Sequence, residues 1–134
     1  RRIRKVLGGG MRQAGVLAAA GLLALREGPS GLAEDHRRAK KFTQAIARLR
    51  SLGIADWDEP ETNIVFVRFP TIEPQLAELT HRLEVDVAVR VLALPGRGLR
   101  FVFHRDVGDE ETERAASGLC SIVEDWVEKH GKPS

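Results

Sequence analysis

Ile64-Val-Phe-Val-Arg-Phe69 is β-branched and aromatic throughout, bounded by Asn63 and Pro70, and reads as a strand. The segments on either side have a different period. Upstream, Leu32, Ala39, Phe42, Ile46, Leu49 and Leu52 keep helical spacing, with Gly53 placed as the C-terminal cap and a polar stretch over residues 55–62 before the strand. Downstream, Thr71 is expected to cap a short helix that tolerates Pro74 in its first turn and buries Leu76, Leu79 and Leu83.

Beyond that helix, Val85, Val87, Val89 and Val91 alternate with Asp86, Ala88, Arg90 and Leu92, the period of a half-buried second strand. Pro95-Gly-Arg-Gly98 is a turn, and residues 99–104 make a third strand. The last helix opens at Gly108-Asp-Glu-Glu-Thr, with acids in the turn where the helix dipole favours them, and turns Ala115, Leu119, Ile122, Val123 and Trp126 inward. At the other end, residues 11–25 are apolar on nearly every side, as in a helix covered by another layer or subunit. Gly15 and Gly21 lower its helix propensity, and Gly28-Pro-Ser-Gly31 is expected to break it. An α+β fold follows: a three-stranded, mainly antiparallel sheet covered on one face by helices and preceded by a long apolar helix. The division expected is residues 1–30, a glycine-rich loop and linking helix, and residues 31–134, a small domain. No internal repeat or low-complexity tract is present.

The chain has 134 residues, 43% apolar and 30% charged, with a formal net charge of +2. That is one soluble domain's worth of sequence, and its opening Arg1 suggests a processed product or the C-terminal part of something longer. The basic residues alternate with acids, as in Ala33-Glu-Asp-His-Arg-Arg-Ala-Lys-Lys41, which describes a solvated face and argues against nucleic acid. The apolar run over residues 16–25 is short of the ~20 residues a membrane helix needs. Cys120 lies among Leu119, Ile122 and Val123 and reads as a small core residue, and one cysteine allows no internal disulfide. His36, His81 and His130 lack metal-ligand spacing, so no zinc is expected. Trp57 and Trp126 read as packing residues, and His104 with Asp106 as a turn cap.

Among candidate binding groups, the loop Arg-Lys-Val-Leu-Gly-Gly-Gly-Met-Arg-Gln over residues 4–13 stands out. Gly8, Gly9 and Gly10 present backbone N–H groups without Cβ atoms, and Lys5 and Arg12 flank them, Arg12 in the first turn of the helix that follows. Two readings stand on residue type: an anion cradle, or a flexible turn before a core helix. The loop matches neither the phosphate loop ending in Lys-Ser/Thr nor the GxGxxG turn.

Leu7-Gly-Gly-Gly-Met-Arg-Gln-Ala-Gly15 resembles the hallmark segment of low-specificity L-threonine aldolases. Leu32-Ala-Glu-Asp-His36 resembles the opening of that family's next helix. Thr62-Asn-Ile-Val-Phe-Val67 resembles its first C-terminal strand, and Leu99-Arg-Phe-Val-Phe-His-Arg-Asp-Val107 its last strand and turn. The resemblance runs in order along essentially the whole chain. It implies the small C-terminal domain of a fold type I enzyme dependent on pyridoxal phosphate, cleaving L-threonine or L-allo-threonine to glycine and acetaldehyde, with the cofactor as electron sink for the broken Cα–Cβ bond. It also implies Arg100 as the group holding the substrate carboxylate, and Lys5 and Arg12 as the basic pair near the cofactor phosphate, reaching a neighbouring subunit's site.

The family's Schiff-base lysine lies upstream of the glycine-rich segment and has no counterpart here, so no catalytic residue and no covalent cofactor attachment are expected in this chain. Lys40, Lys41, Lys129 and Lys132 all sit in hydrophilic contexts. The partners implied are an amino-acid substrate, a large cofactor-binding domain and further copies of the full-length chain. The alternative is a truncated, inactive product lacking that lysine, or an interaction domain.

Overall fold

The computed structural model describes residues 2–70 and 75–131 and divides into two compact units, residues 1–31 and 32–134. The first holds α1 (Arg2–Val6) and the N-terminal part of α2 (Gly15–Ala45); the rest of α2 belongs to the second. The second unit continues with α3 (Ala47–Ser51), β1 (Ile64–Val67), α4 (Leu76–Val87), β2 (Leu92–Leu94), β3 (Gly98–Val102) and α5 (Asp109–His130).

In the first unit the expected helix break does not occur, because α2 runs through Gly28-Pro-Ser-Gly31 with Pro29 inside it. Pro29 removes one backbone donor, and Ser30 Oγ donates to the Glu27 carbonyl at 2.8 Å. Stopping there would strand four carbonyls and four N–H groups, a larger loss than one hydrogen bond. Val16, Leu17, Leu22, Leu23 and Leu25 are all exposed in this chain. The helix expected over residues 11–25 begins only at Gly15, so Arg12 lies in the preceding turn and not in a helical first turn.

The second unit is built on a three-stranded antiparallel sheet in the order β1-β3-β2. Its register sets Val65 opposite Phe101 and Val67 opposite Leu99, with Ala93 opposite Leu99 on the other side. Val65, Val67, Leu99 and Phe101 are buried and form one face. Phe42 of α2 lies against Phe101 and Phe103, with ring centroids 4.6 and 5.5 Å apart, and is itself fully buried. Burial of such a ring stabilises by roughly 1.5–3 kcal/mol. Leu79 and Leu83 of α4 and Leu119, Ile122, Val123 and Trp126 of α5 complete the core. Trp57 is buried as well, with the Arg50 guanidinium 3.9 Å above its ring.

The alternating valines do not make a strand over residues 85–92. Val85 and Val87 close α4, and only Leu92–Leu94 pair with β3. The helical stripe of Leu76, Leu79 and Leu83 extends one further turn to Val87, which packs beside Gly118 of α5; a Cβ on Gly118 would lie 2.5 Å from Val87 Cγ1. Ala88 then ends the helix in the left-handed region at φ 57°, and Val89 N–H donates to the Leu83 carbonyl at 2.9 Å. The cap expected at Thr71 and Pro74 lies outside the described residues; α4 begins after Gln75. β1 and β3 are both shorter than their apolar runs. Past β1, Arg68 exchanges backbone hydrogen bonds with Asp56.

Ion pairs fix how the helices sit on one another. Arg37 of α2 donates to both carboxylate oxygens of Asp109 at 2.8 and 2.9 Å, Lys41 meets Glu113 at 2.5 Å, and Arg82 of α4 meets Asp125 of α5 at 2.6 Å. Hydrogen bonding from Arg37 holds the Asp109 carboxyl below its usual range; Lys129 first and then Arg82 do the same to Asp125. All these pairs reach solvent, so they align elements more than they drive folding.

Gly98 adopts φ +83°, and a Cβ there would lie 2.1 Å from the Val67 carbonyl oxygen. Gly98→Ala is therefore expected to lower the unfolding free energy by more than about 1 kcal/mol, read as a reduced urea midpoint at unchanged slope. A second expectation follows from the lowered carboxyl pKa values. Their stabilisation is present above the ordinary aspartate range near ~3.9 and is lost as pH falls through the lower folded values. The urea midpoint should thus decline below about pH 4, less steeply in Asp109→Asn; superimposable acid limbs would remove the Arg37 pair from that account.

Candidate functional site

Strand alternation decides which side chains of the sheet are available. With Leu99 and Phe101 committed to the core, Arg100 lies on the opposite face, aligned with Phe66 of β1 on one side and Leu92 of β2 on the other. Ile64, opposite Val102, belongs to the same face. This face therefore sets a half-buried arginine among Phe66, Leu92, Ile64 and Val102, and Ile64 and Phe66 also line a concavity with Asp58, Glu59 and Glu61. Arg37, Arg38, Arg48, Arg50, Arg68, Arg82 and Arg90 each meet a carboxylate. Arg100, among the described residues, does not. A planar guanidinium on a rigid central strand, without an acid of its own, is suited to grip an incoming carboxylate through two parallel hydrogen bonds.

The turn between β2 and β3 brings a second guanidinium to this face. Arg97 N–H donates to the Leu94 carbonyl at 2.9 Å, and the missing side chain of Gly98 lets the turn close against Val67 and Arg68. The Arg97 guanidinium thereby stands 4.5 Å over the ring of Phe66, the residue opposite Arg100. Arg68 follows on β1 but is held by Asp58 at 2.7 Å and Asp56 at 3.0 Å, and its own bonds keep both carboxyls below their usual range. By residue type alone Pro95-Gly-Arg-Gly98 is only a turn. Two glycines around one arginine were the available signal.

Lys5 and Arg12 belong to the first unit and Arg100 to the second. Both basic residues are exposed, Lys5 in the last turn of α1 and Arg12 in the turn before α2. The glycines between them have a specific local task. Gly8 N–H donates to the Lys5 carbonyl at 3.1 Å and Gly9 N–H to the Arg4 carbonyl at 2.7 Å, with Gly8 at φ +82°. This paired pattern is a Schellman cap closing α1, a helix the sequence reading did not anticipate. Gly9 is confined too, since a Cβ there would stand 2.6 Å from the Arg4 side chain.

No described lysine is set up as an amine nucleophile. Lys41 and Lys129 are tied to Glu113 and Asp125, Lys5 and Lys40 are exposed, and Lys132 lies outside the described residues. Among the described residues Arg100 is suited to a carboxylate, and the lysines are exposed or paired with acids. Burial pushes the half-buried Cys120 thiol up, as befits a packing residue. His104 Nδ1 accepts the Asp106 backbone N–H at 3.3 Å, the turn cap expected of it. Among the described residues no cluster of three metal-ligating side chains occurs, and no helix is long and apolar enough to cross a membrane.

Residues 1–71 match the family described as Beta-eliminating lyase. The chain is 37% identical over 115 residues to a probable low-specificity L-threonine aldolase 2 of Arabidopsis thaliana, a stretch that is 86% of this chain and 32% of that protein. It is 39% identical over 116 residues to the low specificity L-threonine aldolase of Escherichia coli K12, 87% of this chain and 32% of that enzyme. A second plant protein, low-specificity L-threonine aldolase 1 of Arabidopsis thaliana, is 30% identical over 105 residues, 78% of this chain and 29% of its own length. The chain spans about a third of the length of these relatives.

Proposed function

The chain belongs to the beta-eliminating lyase family, and from that premise we propose that it is the C-terminal part of a threonine aldolase whose complete form cleaves L-threonine or L-allo-threonine to glycine and acetaldehyde. The single observation that carries this reading is Arg100, a guanidinium on the central strand of the sheet, on the face away from the core, with no acid partner among the described residues. Arg100 holds the amino acid's α-carboxylate. Fixing that group on a rigid strand fixes the rotation of the substrate about Cα, and with it the direction of the bond to be broken.

In this reading residues 1–30 are the loop and helix linking the small domain, residues 31–134, to a large domain, and the whole is the fold type I architecture. Lys5 and Arg12 serve the phosphate of pyridoxal phosphate, which in the complete enzyme supplies an electron sink. The anchoring lysine belongs to the large domain, and the complete protein is a homo-oligomer. The exposed leucines of the first unit support this arrangement, because a continuous apolar surface of that kind is ordinarily covered by protein.

Arg100→Ala in the complete enzyme is expected to raise KM for L-threonine by about tenfold to a hundredfold, the worth of hydrogen bonds to a charged group. Cofactor absorbance should stay unchanged. An unaltered KM would remove Arg100 from the carboxylate role. For the present chain, pyridoxal phosphate followed by borohydride should leave no single stoichiometrically labelled lysine; one such lysine would overturn the assignment of the anchor to another domain.

A further inference from the structure

We infer that the open sheet face carries two anion-binding positions, Arg100 and Arg97, and that the site accepts a dicarboxylic amino acid whose distal carboxylate is held by Arg97. The inference rests on the reading of Arg100 as the α-carboxylate group and adds a second, specificity-determining cation to it.

Three observations place Arg97 in that role. Its guanidinium stands 4.5 Å over the ring of Phe66, and Phe66 is the cross-strand neighbour of Arg100, so a single aromatic residue separates the two cations on one face. Its position is built into the backbone: the Leu94 carbonyl accepts the Arg97 N–H, and Gly98 at φ +83° lets the turn approach Val67 closer than any side chain would permit. Lastly, it has no acid partner among the described residues, whereas Arg68, next along β1, is neutralised by Asp56 and Asp58.

The chemistry of the occupant follows from this layout. Attraction to the ring face restricts the rotation of the Arg97 guanidinium while its N–H groups remain donors for an anion. One guanidinium over the Phe66 ring and a second arginine at the cross-strand position of Phe66 suit a short carbon chain with a carboxylate at each end. An amino acid with an uncharged side chain uses Arg100 alone.

The two positions can be read directly on this chain by following the side-chain guanidinium NMR signals of Arg97 and Arg100 at low ionic strength, during titration with acetate and, separately, with succinate. Succinate is expected to perturb both signals in one saturating event and to bind at least about tenfold more tightly than acetate, each molecule of which engages one guanidinium at a time. Arg97→Gln should abolish the difference between the two anions and leave acetate binding at Arg100 intact. Arg97→Lys, which keeps the charge and loses the planar stack, should recover only part of it. Equal affinities in the unmodified chain, or a succinate preference that survives Arg97→Gln, would overturn the role of Arg97 while leaving that of Arg100 standing. Failure of either anion to move the Arg100 signal, or acetate binding unchanged in Arg100→Gln, would count against the Arg100 reading and so against both.

Discussion

A β-strand cannot bury two consecutive side chains on the same side, and β3 makes that rule consequential. Leu99 and Phe101 are drawn into the helix layer, where Phe42 meets the Phe101 ring. Arg100 between them is delivered to the other face of the sheet as a geometric by-product of the core. Because β3 is the central strand, with β1 and β2 hydrogen-bonded on either side, the arginine's Cα is held from both directions. The precision with which Arg100 is placed is inherited from the packing behind it, which a loop residue would not enjoy.

Much of this arrangement was legible in the residues. The β-branched and aromatic run after Asn63, the turn at Pro95-Gly-Arg-Gly98 and the apolar stripe of the last helix are local signals, and tertiary packing agreed with them. What misled was a competition between two periods in one stretch. Val85 and Val87 satisfy a period of two, yet they also continue the stripe set by Leu76, Leu79 and Leu83, and the space beside Gly118 belongs to a helical Val87. That space is made by a residue thirty-one positions away, so no local reading could weigh it. The same limit applies to Arg97, whose importance comes from Phe66 on another strand.

Pro29 and the triple glycine show the opposite error, in which composition suggests more than geometry delivers. Gly28-Pro-Ser-Gly31 carries every mark of a break, but a helix already formed on both sides loses less by passing through than by ending twice. Gly8 and Gly9 look like a phosphate cradle, and their N–H groups instead satisfy the carbonyls of Lys5 and Arg4. A donor engaged in closing a helix is not free for an anion, which leaves the side chains of Lys5 and Arg12 as the basic groups of this loop. The family resemblance identified the stretch correctly and said nothing of how its backbone is used.

Gly98 links these themes. Its bare α-carbon permits the contact with Val67 that seals the β2–β3 turn, and the same contact carries Arg97 over Phe66. Stability and the placing of Arg97 therefore share one atom's worth of space. Compensating substitutions in the helical core could restore the folded population of a chain altered at this position, but they would not return the turn to its place. A side chain at residue 98 thus acts twice, on folding and on the placing of Arg97, and the second effect is not relieved from elsewhere in the molecule.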